Sequence, residues 1–132
     1  MKTLLPAGWP RPKGYSNGIA ADGTHVHVAG MVGWNPVTSE FETDDFAGQF
    51  RQTLESIVAV LAEAGAGPKH IVRFTWYVTD KEEYLSSLKE VGEAYRDVIG
   101  KHYPAMAAIE ISGLMEPRAK IEIETYAVVP KE

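Results

Sequence analysis

Cysteine is absent from the chain, which removes a disulfide framework, thiolate catalysis and a zinc-thiolate centre together. No apolar run approaches the roughly 20 residues of a membrane-spanning helix, and Met1 to Lys13 shows no charged-then-apolar leader. The expectation is a cytoplasmic protein with no membrane partner. Lysine and arginine total 13 against 18 aspartates and glutamates, a formal charge of −5, and the cations form no cluster. Phosphate neutralisation dominates affinity for nucleic acid, so no nucleic-acid partner is expected. The serines lack a nucleophile elbow, and Gly30-Met-Val-Gly33 has neither the spacing of a phosphate loop nor a helix start behind it. No motif asks for a cofactor.

What is present is a length of 132 residues, 45% hydrophobic and 23% charged, enough for one domain with a buried core. The last third is the most regular stretch. Tyr103 to Ile111 and Ala119 to Val129 both alternate with period two, as half-buried strands do. In the second, Ile121 and Ile123 fall on one face and Lys120, Glu122 and Glu124 on the other, because successive strand side chains point to opposite sides. A face that carries carboxylates must meet water or a partner.

Met1 to Lys13 reads as an extended arm tied down by Leu4, Leu5 and Trp9. Asp22-Gly23 separates two alternating runs, Asn17 to Ala21 and Thr24 to Gly30, the pattern of a hairpin. Met31 to Glu42 has no clear period and reads as a loop. Thr43, Asp44 and Asp45 then cap a helix whose stripe is Phe46, Phe50, Leu54, Ile57 and Leu61, ended by Ala64-Gly-Ala-Gly67. Ile71 to Thr79 is a strand with Val72, Phe74, Trp76 and Val78 on one face. Asp80 and Glu83 form a capping box for a second helix, Tyr84 to Ile99, with Tyr84, Leu88, Val91, Tyr95 and Ile99 as its stripe and Gly100 as its stop. Two helices cover only one face of a sheet. The face bearing Arg73, Lys120, Glu122 and Glu124 is left uncovered, with Trp34, Tyr77, Met106 and Ala108 on or beside it.

The run Tyr95-Arg-Asp-Val-Ile-Gly-Lys-His-Tyr103-Pro104-Ala105, followed by Ile109-Glu-Ile111 and Lys120-Ile-Glu-Ile-Glu124, resembles the closing signature of the Rid (YjgF) family. Gly14-Tyr15-Ser16 and Gly30 resemble its opening pattern, although the family's proline before the tyrosine is missing and Ala29 stands where a serine is common. The resemblance implies an α+β, chorismate-mutase-like or ferredoxin-like fold, a homotrimer with a small-molecule pocket at each subunit boundary, and hydrolysis of reactive enamines or imines to a carbonyl compound and ammonia. It implies Glu122 as the pocket glutamate that positions water, Tyr15 as the residue closing the pocket, and Gly30 as the glycine whose backbone approaches substrate.

The family's substrate-gripping arginine is Met106 here, and Ala108 shares its strand face. Methionine offers a soft apolar wall where arginine clamps a carboxylate with two hydrogen bonds, so a substrate other than 2-aminoacrylate is expected. Gly92 stands where the family often has a pocket asparagine. Several residues admit plainer roles. Glu122 suits an ion pair between subunits with Lys120 or Arg118, Gly30 a strand end, and Arg118 either a pocket anchor or a solvated position. His25 and His27 share a strand face, but no third ligand accompanies them, so no metal is assigned. Two functions remain open: a divergent enamine or imine deaminase, and a non-catalytic ligand-binding trimer.

Overall fold

The structure is a computed structural model and describes residues 1–131. Its main sheet has four strands: β3 (Thr24–Val32), β4 (Ile71–Val78), β5 (Ala105–Glu110) and β6 (Ile121–Val129), in the spatial order β3-β6-β4-β5. β6 runs antiparallel to both neighbours, and β4 and β5 are parallel. Parallel neighbours need a crossover, supplied by α2 (Lys81–Ser86) and α3 (Leu88–Val98). β1 (Lys2–Leu4) and β2 (Gly18–Ala20) form a separate two-stranded ribbon. This is the α+β, chorismate-mutase-like fold, with its helices packed against one face of the sheet.

The long helix α1 (Phe46–Glu63) follows its sequence signals closely. An Asp45 carboxylate oxygen accepts the Gly48 N–H at 2.9 Å, while the Thr43 hydroxyl accepts that of Asp45 at 3.0 Å, satisfying donors that the first turn leaves free. All five stripe residues are buried. At the far end, Ala66 N–H bonds to Leu61 O and Gly65 N–H to Ala62 O, with Gly65 at φ 69°. This is the left-handed glycine stop of a Schellman motif.

Four expectations are corrected. The Asp22-Gly23 pair does not join two mutually paired strands: β2 pairs with β1, and β3 pairs with β6. Gly23, at φ 150°, is needed because a Cβ there would stand 2.1 Å from the Val129 carbonyl oxygen, where β3 passes the end of β6. Trp9 does not tie the arm down, since it is 59% exposed; the arm is held instead by the pairing of Lys2 to Leu4 with β2. β3 continues past Gly30 to Val32 across a bulge between Val28 and Met31. In β4 a register shift between Ile71 and Arg73 turns Ile71 into the core in place of Val72.

The second helix is broken. The Ser86 and Ser87 hydroxyls both donate to the Glu83 carbonyl, at 3.0 and 2.8 Å, and such local bonds compete with the helix ladder. Only half of the capping box forms: Asp80 accepts the Glu83 N–H at 3.1 Å, but the Glu83 carboxylate turns to Lys120 Nζ at 2.6 Å. Lys120 is thereby drawn toward α2 and away from the uncovered face. Val91, Tyr95 and Ile99 are buried as the stripe requires, whereas Leu88 is 50% exposed.

Strand pairing also corrects the placement of two residues. Met106 lies opposite Phe74 and Ala108 opposite Trp76, both core-facing positions of β4. Adjacent strands share their pleat, so Met106 and Ala108 belong to the helix side of the sheet. Met106 packs against the core there.

Candidate functional site

On the open face, β6 presents Glu122, Glu124 and Tyr126, and β4 presents Arg73, Thr75 and Tyr77. Tyr77 donates its hydroxyl proton to Glu124 at 2.6 Å. That hydrogen bond to a carboxylate favours the neutral phenol and raises the Tyr77 pKa above its ordinary value, with desolvation and the charge of Glu124 adding to it. The His27 ring meets the edge of Tyr126 with centroids 5.0 Å apart. Among the described residues no group of three His, Cys, Asp or Glu side chains gathers as metal ligands do.

Glu122 stands apart from this network. Among the described residues it forms no ion pair and accepts no hydrogen bond, whereas Glu83, Glu110 and Glu124 each accept one. Its carboxylate lies over Gly30: a Cβ on residue 30 would fall 2.3 Å from Glu122 Oε2. The β3 bulge and the missing side chain together make room for that carboxylate. Glu122 and Gly30 are thus brought together on the open face.

Tyr15 and Met106 lie elsewhere. The Ser16 N–H bonds to Pro104 O at 3.0 Å and its hydroxyl donates to Tyr103 O, which fixes Tyr15 beside the start of β5. Gly14, at φ 79°, allows the turn that delivers it. Tyr15 lines a cavity of about 620 Å³ between the arm and the body. Met106 lines a second cavity of about 270 Å³ on the helix side, walled by Trp76, Tyr84, Tyr95 and Tyr103. Gly14 and Tyr103 border both cavities.

Trp34 packs on Phe41 with ring centroids 5.8 Å apart. Arg118 is held by Asp44 through two nitrogens at 2.8 and 3.1 Å, donates to Phe41 O at 3.0 Å and lies over the Phe41 ring. It therefore braces the loop before α1 and lines neither cavity beside Met106. Behind it, the buried Gln49 amide donates to Thr43 O and Arg118 O and accepts the Lys120 N–H. Gln49 is a structural clamp that nothing in its sequence setting announced.

The two halves of the candidate site are well separated within one chain. Met106 is level with Phe74 and Glu122 with Tyr77. That offset is about 10 Å along the strands and about 10 Å across two strand spacings, on opposite faces of the sheet.

This arrangement meets its relatives at the level of the whole chain, since residues 10–129 match the family described as Endoribonuclease L-PSP. The chain belongs to the Rid (YjgF) family. A RutC family protein of Pyrococcus abyssi (strain GE5 / Orsay) is 34% identical over 124 residues, 93% of this chain and 91% of that one. A crystal structure of the Rid family protein YyfB from Yersinia pestis superimposes with a TM-score of 0.83 at 28% identity, covering 97% of this chain and 98% of that one. The human 2-iminobutanoate/2-iminopropanoate deaminase is 25% identical over 114 residues, 86% of this chain and 79% of its own length. Within the Rid fold, the residues that sequence reading passed over as site candidates are Trp76, Arg96, Lys13 and Tyr103 around the Met106 cavity. Gly92, a helix-weakening residue inside a helix, was the available signal for them.

Proposed function

We propose that this protein is an enamine or imine deaminase in which Glu122 holds and deprotonates the attacking water. One observation carries the reading: among the described residues the Glu122 carboxylate has no ion-pair or hydrogen-bond partner, and it is set over the bare backbone of Gly30 on the sheet face opposite the helices. The water oxygen bonds to the iminium carbon as its proton passes to Glu122. Glu122 passes that proton to the nitrogen, and as the C–N bond breaks the hydroxyl proton returns to Glu122, so that a carbonyl compound and ammonia leave. The deaminase name of the human relative supports this class of reaction. The acidic balance of the chain argues against the nuclease chemistry in the family's description.

The separation of Glu122 from Met106 supports a site completed between copies. No small substrate reaches both residues in one chain, so a neighbouring subunit supplies one half, and a homotrimer is the assembly proposed. Light scattering is expected to give three times the 14.5 kDa chain mass, and a monomer at working concentration refutes the shared site. For the chemistry, the assay generates imines enzymatically and lets the protein compete with semicarbazide. Glu122→Gln is expected to lower the rate about a hundredfold or more. Because Met106 replaces a carboxylate clamp, 2-iminopropanoate is expected to be a poor substrate that Met106→Arg improves about tenfold. Strong wild-type turnover unaffected by Glu122→Gln overturns the assignment, and no turnover on any imine favours a ligand-binding trimer.

A further inference from the structure

The chain is acidic, yet among the described residues no carboxylate lines the two cavities that meet at Gly14 and Tyr103. Two further hollows in the surface each carry acids: Glu40 and Glu116 in one, Asp22 in the other. Among the described residues, three ion pairs occupy Arg51, Arg118 and Lys120. Arg11, Lys13, Arg96 and Lys101 take part in none of them, and all four line the two adjoining cavities. Arg11 and Lys101 line the larger cavity and Lys13 and Arg96 the smaller, so each offers an anion two cations that form no ion pair among the described residues.

The smaller cavity adds a shape to that charge. Its walls are aromatic, and its volume of about 270 Å³ suits a single ring or a short conjugated chain better than a bulky ligand. Trp76, 5% exposed, offers that cavity a flat indole wall. Arg96 stands at the rim across Gly92, where a Cβ would come within 3.4 Å of its guanidinium. Glycine at that helical position leaves the guanidinium room to lie across the opening.

We propose that this cavity is the recognition half of the site and takes a flat aromatic or conjugated carboxylate. Its body lies between Trp76, Tyr95 and Met106, and its carboxylate is held by Arg96 with Lys13. The carboxylate is then separated from the reacting imine carbon by the flat body, unlike a 2-imino acid, in which the two are adjacent. For the imine itself the proposal rests on the deaminase reading, but binding is tested without it.

The probes are trans-cinnamate, its uncharged analogue cinnamamide, and pyruvate, titrated calorimetrically into the assembled protein. Cinnamate is expected to bind at least tenfold more tightly than either of the other two. Arg96→Gln is expected to weaken cinnamate about tenfold or more and to leave cinnamamide unchanged, and Lys13→Gln to act in the same direction by less. No cinnamate binding, equal binding of acid and amide, or an Arg96→Gln protein that binds cinnamate as before each overturns the proposal. Glu122→Gln separates the two readings, since it is expected to lower turnover about a hundredfold or more while leaving cinnamate affinity intact. If wild type releases no ammonia from any imine but loses cinnamate with Arg96→Gln, the deaminase reading fails and the recognition site stands.

Discussion

The helix α1 and the broken pair α2 and α3 lie on the same face of one sheet and treat it differently. α1 is continuous, capped at both ends, and buries its whole stripe. α2 and α3 are interrupted at Ser87, carry Gly92 in their interior, leave Leu88 half exposed and hold a cavity over Trp76 and Met106. Local preferences that agree with the global fold mark the part of a chain that only has to be stable, and departures from them concentrate where something must bind. On that comparison, substitutions in α1 should be felt as stability, and those in α3 as binding.

The sharpest way to break the comparison is Phe50→Ala. Phe50 is fully buried and meets Trp76 edge-on with centroids 4.9 Å apart. Truncation should cost about 3–5 kcal/mol, measured by urea denaturation. A loss below about 1 kcal/mol would mean that α1 is not the stabilising half. Gln49→Leu comes next. It keeps the volume but strips the partner from the Lys120 N–H, which accepts no substitute from leucine, and should cost about 1–3 kcal/mol. Its effect should extend to protease sensitivity of the loop that Arg118 braces.

These two residues also show how far the sequence could be read. Phe50 follows from helical spacing alone, as do the other α1 stripe positions and the in-out alternation of β6, because each depends only on neighbours a few residues away. Gln49 cannot be found that way, since its partners Arg118 and Lys120 are distant in sequence and its polarity suggests a surface. The Asp22-Gly23 turn and the side of the sheet that Met106 faces failed for the same reason. Strand partners are chosen by long-range pairing, and a parallel β4–β5 register decides which way β5 points. Glu122 and Gly30 were nameable through the family resemblance, but only the β3 bulge explains why one lies over the other. The cations at the second cavity, Lys13 and Arg96, stand far apart in sequence, so no local pattern gathers them.

A smaller effect tests the α3 side. Tyr95 is buried and donates its hydroxyl to the His102 carbonyl. Burial raises its pKa well above the ordinary tyrosine value of about 10, with the neighbouring Tyr103 adding to the shift. Between the unfolded and folded pKa values the unfolded chain has lost the proton and the folded one keeps it, so stability falls as pH rises above about 10. Tyr95→Phe should cost about 1 kcal/mol at pH 7 through the lost hydrogen bond, yet show a shallower decline above pH 10. Parallel declines in both proteins would assign the alkaline loss to another group, such as Tyr84, whose pKa burial raises, or Tyr77, whose pKa the hydrogen bond to Glu124 raises.

The smallest expected change carries the comparison to a single methyl group. Gly92 sits inside α3 at an ordinary negative φ, where glycine destabilises a helix by about 0.5–1 kcal/mol relative to alanine. The added Cβ of Gly92→Ala meets only Arg96 Nη1, at 3.4 Å, the far end of a flexible side chain that can move aside. Stability should therefore rise by up to about 1 kcal/mol, seen as a few degrees in Tm. The displaced guanidinium should hold an anion less well, so cinnamate affinity should fall, though by less than in Arg96→Gln. A gain in stability with a loss of affinity is the signature of a residue retained for its site at the expense of its helix. A gain in stability with unchanged cinnamate affinity would show that Gly92 does nothing for Arg96 and would leave the broken half of the layer without its functional reason.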